Sequence, residues 1–297
     1  MRPHSDRIIV LALGLLLAVG GALWLLLSGG SSPLSSRLPS WMVASGGYLS
    51  VEADPGFVAD TSSLVADGRH FSPVELLVDD QGLTLVGTAF RRPSEERMAA
   101  LRWRRDGSPD RGFGAAGLAS VDFAGGDQVA RGGLRDLQGK YLIHGHGADG
   151  AVRRNMVLAR LDRSGGLDAG FDGDGRLALR FGDGIQSAEA ALVDDAARIV
   201  VAGYAEQDIV GERYREMALA RVLPDGSLDP AFGDGGLRRE RVALAAHDQT
   251  VHDLLPLAGG GLLGVGSSAA ALGEATRASL LLQWLPAGLP DAGFGRR

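Results

Sequence analysis

His144 and His146 flank a glycine, and residues two apart in an extended chain share a face, so their imidazoles have the spacing of a zinc or copper chelate. The run Asp172-Gly173-Asp174-Gly175 alternates oxygen ligands with glycine as a calcium loop does, yet it lacks the EF-hand spacing and its distal glutamate. These four residues, His144, His146, Asp172 and Asp174, are the metal candidates. No partner ligand stands beside either group, so no metal site is assigned, no cofactor is expected, and calcium is the one ion kept as an alternative. His144 aligns with Val86, Ala202 and Val265, all of which read as buried, so a hydrogen-bonded interior imidazole is the simpler reading. His247 and His252 fall near a loop of another unit and meet the first pair only across a ring. Asp79-Asp80 and Asp194-Asp195 are acid pairs of the kind glycoside hydrolysis uses, but both read as solvated hairpin turns. Gly145-x-Gly147-x-x-Gly150 spells a dinucleotide fingerprint, which requires a following helix, whereas a strand pattern follows. There is no Gly-x-Ser-x-Gly, no His-Glu-x-x-His, and the single lysine, Lys140, stands outside any phosphate loop, so no catalytic residue is assigned.

These residues sit on a scaffold that repeats. Asp-x-small-Phe recurs as Asp54-Pro55-Gly56-Phe57, Asp110-Arg111-Gly112-Phe113, Asp168-Ala169-Gly170-Phe171, Asp229-Pro230-Ala231-Phe232 and Asp291-Ala292-Gly293-Phe294, with Phe-to-Phe intervals of 56, 58, 61 and 62 residues. Five-residue apolar runs precede the last four, at 99–103, 157–161, 218–222 and 280–284, and a glycine ends an apolar run in each unit, at Gly87, Gly145, Gly203 and Gly266. Glycine inside a strand marks a bulge or a close backbone approach. One unit reads as strands at 118–123, 129–137, 141–146 and 156–162 followed by the Phe turn, which is one four-stranded propeller blade. The stretch 187–197 favours helix by propensity, but its register holds strand-like sequence in the other units, so it is read as strand. The repeated Asp accepts backbone N–H bonds in its turn, and Arg102, Arg160 and Arg221 are placed to pair with it, with Gln283 at the fourth position.

Asp225-Gly226-Ser227-Leu228-Asp229-Pro230-Ala231-Phe232-Gly233-Asp234-Gly235-Gly236 resembles the delta-60 repeat family of exported bacterial proteins, and the resemblance extends over residues 54–295. It implies a propeller-like architecture without an assigned activity. The first unit departs from the pattern, because Phe57 is followed by Val58-Ala59-Asp60. The expected fold is all-β: a β-propeller-like array of four blades, about 57–112, 113–170, 171–231 and 232–293, within a domain 41–297. Its ends close on residues 41–51 or on the segment after Phe57, or else a second copy closes an open ring as a homodimer.

Before this domain lies an uncharged stretch, 8–27, long enough to cross about 30 Å of hydrocarbon. Arg2 and Arg7 precede it in the n-region 1–7, which puts the N-terminus in the cytoplasm and the domain outside the inner membrane, in the periplasm. No Ala-x-Ala-like site follows, so a retained anchor is expected, and secretion only if it is cleaved. Residues 28–40 read as a flexible tether.

Composition bounds the function. With 45% hydrophobic and 22% charged residues in 297, general disorder is excluded, and a net charge of −6 argues against nucleic acid. The absence of cysteine removes disulfides, Cys-ligated metals and a cysteine nucleophile. What varies between units is the set of loops on one face: Arg91, Arg92, Glu95 and Arg97, then Arg153 and Arg154, then Glu212, Arg213 and Tyr214. A uniform scaffold with a variable face suits a membrane-anchored binding or scaffold protein whose partner is an envelope protein or glycan. The alternatives are an envelope-acting glycan or ester hydrolase and a calcium-stabilised structural module.

Overall fold

The computed structural model describes residues 42–45, 48–51, 70–90, 95–123, 126–149, 153–242, 247–272 and 274–295. The expected anchor 8–27 and expected tether 28–40, with Asp54, Phe57, Arg91 and Arg92, lie outside them. Among the described residues no helix is long and apolar enough to cross a membrane. The chain divides into Met1–Phe57 and Val58–Arg297. In the first unit β1 (Met42–Ser45) and β2 (Tyr48–Val51) form an antiparallel hairpin.

Among the described residues the second unit holds four successive antiparallel groups of strands, of which the first two are separate four-stranded sheets and the last two are joined in one seven-stranded sheet. They run β3 (His70–Val78), β4 (Gly82–Phe90), β5 (Glu96–Arg104), β6 (Leu118–Val121); then β7 (Gln128–Arg135), β8 (Tyr141–Asp149), β9 (Arg153–Leu161), β10 (Arg176–Leu179); then β11 (Gln186–Val193), β12 (Ile199–Ile209), β13 (Glu212–Val222), β14 (Leu237–Glu240). The fourth comprises β15 (Asp248–Pro256), β16 (Leu262–Ala269) and β17 (Ala278–Trp284), tied to the third by a single parallel bridge between Arg215 and Asp248. The first strands lie side by side, β3 against β7, β7 against β11 and β11 against β15, as the inner strands of propeller blades do. Stretch 186–193 is strand, so tertiary packing overrides its helical propensity.

The sheets are offset by one strand from the sequence units. The strand after each Phe turn does not open the next blade: Leu118–Val121 pairs with β5, which precedes the turn, through the register Leu101↔Leu118 to Met98↔Val121. The thirteen-residue turn 105–117 returns the chain beside the strand it has just left, and the shorter crossover 122–127 carries it on to β7.

Apolar runs replace alternation because the middle blades bury both faces. Tyr141, Ile143 and Ala159 pack with Val86, Met98 and Ala100 of the first blade, while the intervening Leu142 and Leu158 pack with Ala188, Val201 and Ala218 of the third. A third core joins Val200, Ala202 and Leu219 to Val251, Leu254 and Trp284 of the fourth blade.

Every inner strand carries a bulge at one register position, at Val74, Arg131, Glu189 and His252, and the residue just before it faces the recurrent glycine. A Cβ at Gly87, Gly145, Gly203 or Gly266 would lie 2.2, 2.1, 2.1 or 2.4 Å from an inner-strand carbonyl oxygen. The sequence reading of a close approach is thereby explained.

Candidate functional site

The repeated aspartates build the lower end of the array. Asp110, Asp168, Asp229 and Asp291 each accept the N–H of the residue two places on, at 3.2, 3.2, 2.9 and 2.8 Å. Their second oxygens meet Arg102, Arg160 and Arg221 at 3.4, 2.6 and 2.7 Å, and Gln283 donates to Asp291 at 2.9 Å. Each guanidinium lies over the following Phe, at 5.6, 4.7 and 4.8 Å from the ring centroid, and reaches a carbonyl of the next blade at Arg163, Pro224 or Pro286. Phe113, Phe171 and Phe232 are buried. The backbone repeats the link, with Gly114 N–H donating to Ser164, Asp172 to Asp225 and Gly233 to Ala287 at 2.6 to 2.8 Å. Asp, Phe and Arg together form an inter-blade staple.

One expectation at this end needs correction. Asp79 and Asp194 are not solvated: Asp79 pairs with Arg135 at 2.6 Å and Arg102 at 3.7 Å, Asp194 with Arg198 at 2.7 Å, and their side chains are 8% and 14% exposed. Each carboxylate also ties the amides of its hairpin turn, and neighbouring arginines pull it inward, whereas Asp80 and Asp195 remain exposed. Asp172 and Asp174 do not converge as ligands, because Asp174 is bound by Arg176 at 2.8 Å. Among the described residues no three His, Asp or Glu side chains gather to hold a metal. A cleft of about 300 Å³ lies at this end between blades two and three, and its two cations, Lys140 and Arg160, already share Asp168.

His144 and His146 are interior, as read. Both are 4% exposed; His144 Nδ1 lies 3.1 Å from the Ala188 carbonyl, which requires Nδ1–H, and His146 Nδ1 lies 3.2 Å from Ser187 Oγ. Burial lowers both, His146 to about 4 with help from Arg131 and Arg154. Their counterpart Val265 is not buried but 47% exposed, because blade four has no following sheet against it among the described residues.

The upper end, where the second-to-third-strand loops and the inter-blade crossovers meet, is held by different contacts in each blade. Arg97 pairs with Asp122 at 3.3 Å and reaches the Gly126 carbonyl, and Glu95 is exposed beside it. Arg154 is exposed on β9, as are Glu212 and Arg213 on β13; Arg153 starts β9. Tyr214 donates to Glu212 at 2.6 Å and is clasped by His247 and Arg241, each 4.3 Å away. The hairpin β12–β13 has eleven residues in each strand against nine in β4 and β5. At its tip Val210 is 99% exposed with φ 55°, and Asp208 holds the turn by accepting the Gly211 N–H at 2.8 Å. A β-branched residue in this backbone region is strained by about 1–3 kcal/mol.

Sequence reasoning missed the polar groups around the inner-strand bulges. Arg131 and Glu189 form an ion pair at 3.7 Å between blades two and three. Next to them Arg215 stacks 3.9 Å over Tyr204, binds Glu206 at 2.8 Å and approaches Asp248 at 3.5 Å, while Arg277 also bonds Asp248. Burial raises the Tyr204 phenol; it pulls Arg215 down, but Glu206, Tyr204 and Asp248 outweigh it and leave that guanidinium above its ordinary value. Glu75 and Asp253 each follow a bulge residue directly, and Glu75 is raised, mainly by loss of water around its carboxylate and further by the charge of Asp253. The buried Gln128, Gln186 and Gln249 hold the crossovers, and their spacing of 58 and 63 residues was the signal available in the sequence.

A family model described as "Domain of unknown function (DUF5122) beta-propeller" matches residues 198–232. None of the curated proteins matches the chain. Among solved structures, similarity is found to an endo-arabinase from Bacteroides thetaiotaomicron, with 14% identity over 74% of this chain and 76% of that one and a TM-score of 0.39. An alpha-L-arabinanase from Cellvibrio cellulosa complexed with arabinohexaose has 12% identity, coverages of 80% and 82%, and a TM-score of 0.40. A mannose phosphorylase from Leishmania mexicana has 12% identity, coverages of 73% and 69%, and a TM-score of 0.41. The matched family segment, 198–232, runs from β12 through the third Phe turn, and with the all-β sheets it marks the chain as propeller-type.

Proposed function

We propose that this chain is a membrane-anchored, extracytoplasmic propeller of four blades that binds a protein partner through the upper end of blade three. Residues 8–27 anchor it, 28–40 tether it and the delta-60-like repeats form the scaffold. The observation that carries the reading is Val210: an apolar, β-branched side chain held fully exposed at positive φ, flanked along the hairpin by the exposed Asp208, Glu212 and Arg213. An apolar contact with a charged rim is the anatomy of a protein interface, and a strained exposed residue calls for a role outside the fold. Crosslinking of tagged full-length protein in intact cells should capture a stoichiometric partner that residues 1–40 alone do not. Val210→Asp with Arg213→Glu should lower that capture more than tenfold without lowering the melting temperature, since aspartate tolerates the positive φ better than a β-branched residue. Equal capture by the variant refutes the assignment.

A second reading is glycan hydrolysis, with Glu75, raised mainly by partial loss of water and also by the charge of Asp253, as the candidate acid; both side chains stand exposed. On that reading Glu75→Gln abolishes hydrolysis of an envelope polysaccharide and Val210→Asp leaves it intact.

A further inference from the structure

The turn after the second repeat Phe departs from its counterparts. Gly114 and Gly233 follow Phe113 and Phe232 with φ of 54° and 56°, but Asp172 follows Phe171 in the same left-handed backbone, with φ 50°. A side chain therefore stands where the other two turns keep glycine. The next peptide unit differs too. Ala115 and Asp234 donate their N–H to the Leu118 and Leu237 carbonyls at 2.8 and 2.7 Å, which closes each turn as an isolated bridge. Gly173, at the equivalent position, has φ 82° and makes no such bond among the described residues, and the Asp172 carbonyl accepts none. Both residues are exposed, and a Cβ at Gly173 would meet nothing within 4 Å.

An Asp–Gly peptide is the bond at which a protein chain most readily rearranges, because the glycine nitrogen is unshielded by a side chain and can turn towards the aspartate Cγ. Turning requires the peptide plane and the carboxyl both to be free. Six Asp–Gly bonds have both residues described, and five of them are held. The Gly107, Gly175 and Gly226 N–H groups donate to the carbonyls of Arg104, Phe171 and Leu223 at 3.0, 2.7 and 3.0 Å. The carboxylates of Asp106, Asp174 and Asp225 are held as well, by Ser108, Arg176 and Ser227. Asp234 is fixed at both its N–H and its carbonyl by Leu237, and Gly184 is packed on the Glu206 carbonyl oxygen, 2.1 Å from where a Cβ would stand. Among the described residues only Asp172–Gly173 combines an unbonded N–H, an unbonded C=O and a carboxylate without a hydrogen-bond donor.

We infer that Asp172 is a modification site, at which the Gly173 nitrogen attacks the Asp172 Cγ and converts the residue to isoaspartate. The N–Cγ bond forms, the Cγ–OH bond breaks, and the hydroxyl leaves with the amide proton as water; nothing is oxidised or reduced. Water then opens the resulting succinimide, and attack on its α-carbonyl leaves the chain running through Cβ and Cγ. The carboxyl must carry a proton for the hydroxyl to leave, and partial burial together with the charges of Asp174 and Asp225 holds it above its ordinary range. The added backbone methylene falls between Phe171 and β10, beside the Asp172 N–H that donates to Asp225 of the next blade at 2.7 Å. The product therefore forms at the seam between blades two and three.

Incubating the full-length protein in heavy-oxygen water and digesting it with trypsin in ordinary water tests this, since each passage through the succinimide leaves a labelled carboxyl. Peptide 164–176 carries Asp172 and Asp174 together, and peptide 222–238 carries Asp225 and Asp234. In the folded protein, label at Asp172 should exceed that at each of the other three by about fivefold or more, the factor one hydrogen bond is worth. In protein unfolded by urea, Asp172 and Asp174, both followed by glycine, should label alike. Equal labelling in the folded protein, or a preference for Asp172 that persists in urea, overturns the inference. Asp172→Gly, which installs the residue of the other two turns, should remove isoaspartate from peptide 164–176 without lowering the melting temperature. Isoaspartate persisting in that peptide refutes the assignment.

Discussion

Arg160 offers the sharpest test of the staple. Its Nε holds Asp168 at 2.6 Å, Nη1 donates to the Pro224 carbonyl of the next blade, the guanidinium covers Phe171, and the residue is 5% exposed. Arg160→Ala removes all three contacts and leaves Asp168, whose side chain is 14% exposed, with Lys140 at 2.8 Å. Breaking a buried pair costs about 3–5 kcal/mol, and the surviving lysine puts this case near about 3. Arg160→Gln differs, because blade four shows a glutamine bonding the same aspartate. That variant keeps the Asp168 bond, loses the cross-blade carbonyl bond and costs about 1.5 kcal/mol. At about 2–4 °C per kcal/mol for a domain of this size, thermal melts should fall by about 6–12 °C for alanine and about 3–6 °C for glutamine. An alanine variant within 1–2 °C (roughly the 0.5 kcal/mol of an ordinary surface change) refutes the staple. A glutamine variant as damaged as alanine refutes the division between its two arms.

Two further outcomes follow from buried groups. His144 and His146 are held below 6.5, His146 at about 4, mainly by burial. The unfolded chain therefore binds more protons, and stability that is complete above pH 6.5 is lost as the pH falls towards 4, by about 3 kcal/mol from His146 alone. His146→Gln should flatten the melting temperature profile across that window; an unchanged profile contradicts the burial argument. Gly203→Ala places a Cβ 2.1 Å from the Ser187 carbonyl oxygen and should cost more than about 4 kcal/mol in urea unfolding. Gly211→Ala, with φ +83° and no atom within 4 Å, should cost only about 1 kcal/mol, and equal effects at the two sites refute the close-approach account.

The repeat was legible because each of its residues performs the same local task in every blade. Asp, Phe, Arg and the strand glycine serve contacts set by one recurring backbone geometry, so their spacing carried the geometry with it. The sheet boundary was not legible, since the strand after the Phe turn lies nearer in sequence to the next sheet, with six residues before β7 against thirteen after β5, and only pairing assigns Leu118–Val121 to the earlier one. The solvation of Asp79 was misread for a related reason: Arg135, its partner, lies 56 residues away. The groups around Tyr204 and Glu189 converge from β7, β11, β12, β13 and β15, and no spacing along the chain announces that meeting.

The staples point one way. Arg102 reaches 61 residues forward, Arg160 64 and Arg221 65, and none reaches back to a corresponding turn of the preceding blade. During synthesis each blade therefore waits, unlatched, until the next one has been made. The array has a temporal direction as well as a spatial one: a pause in elongation within one blade prolongs exposure of the apolar face of the blade before it, and a truncated chain is most vulnerable at its last complete sheet.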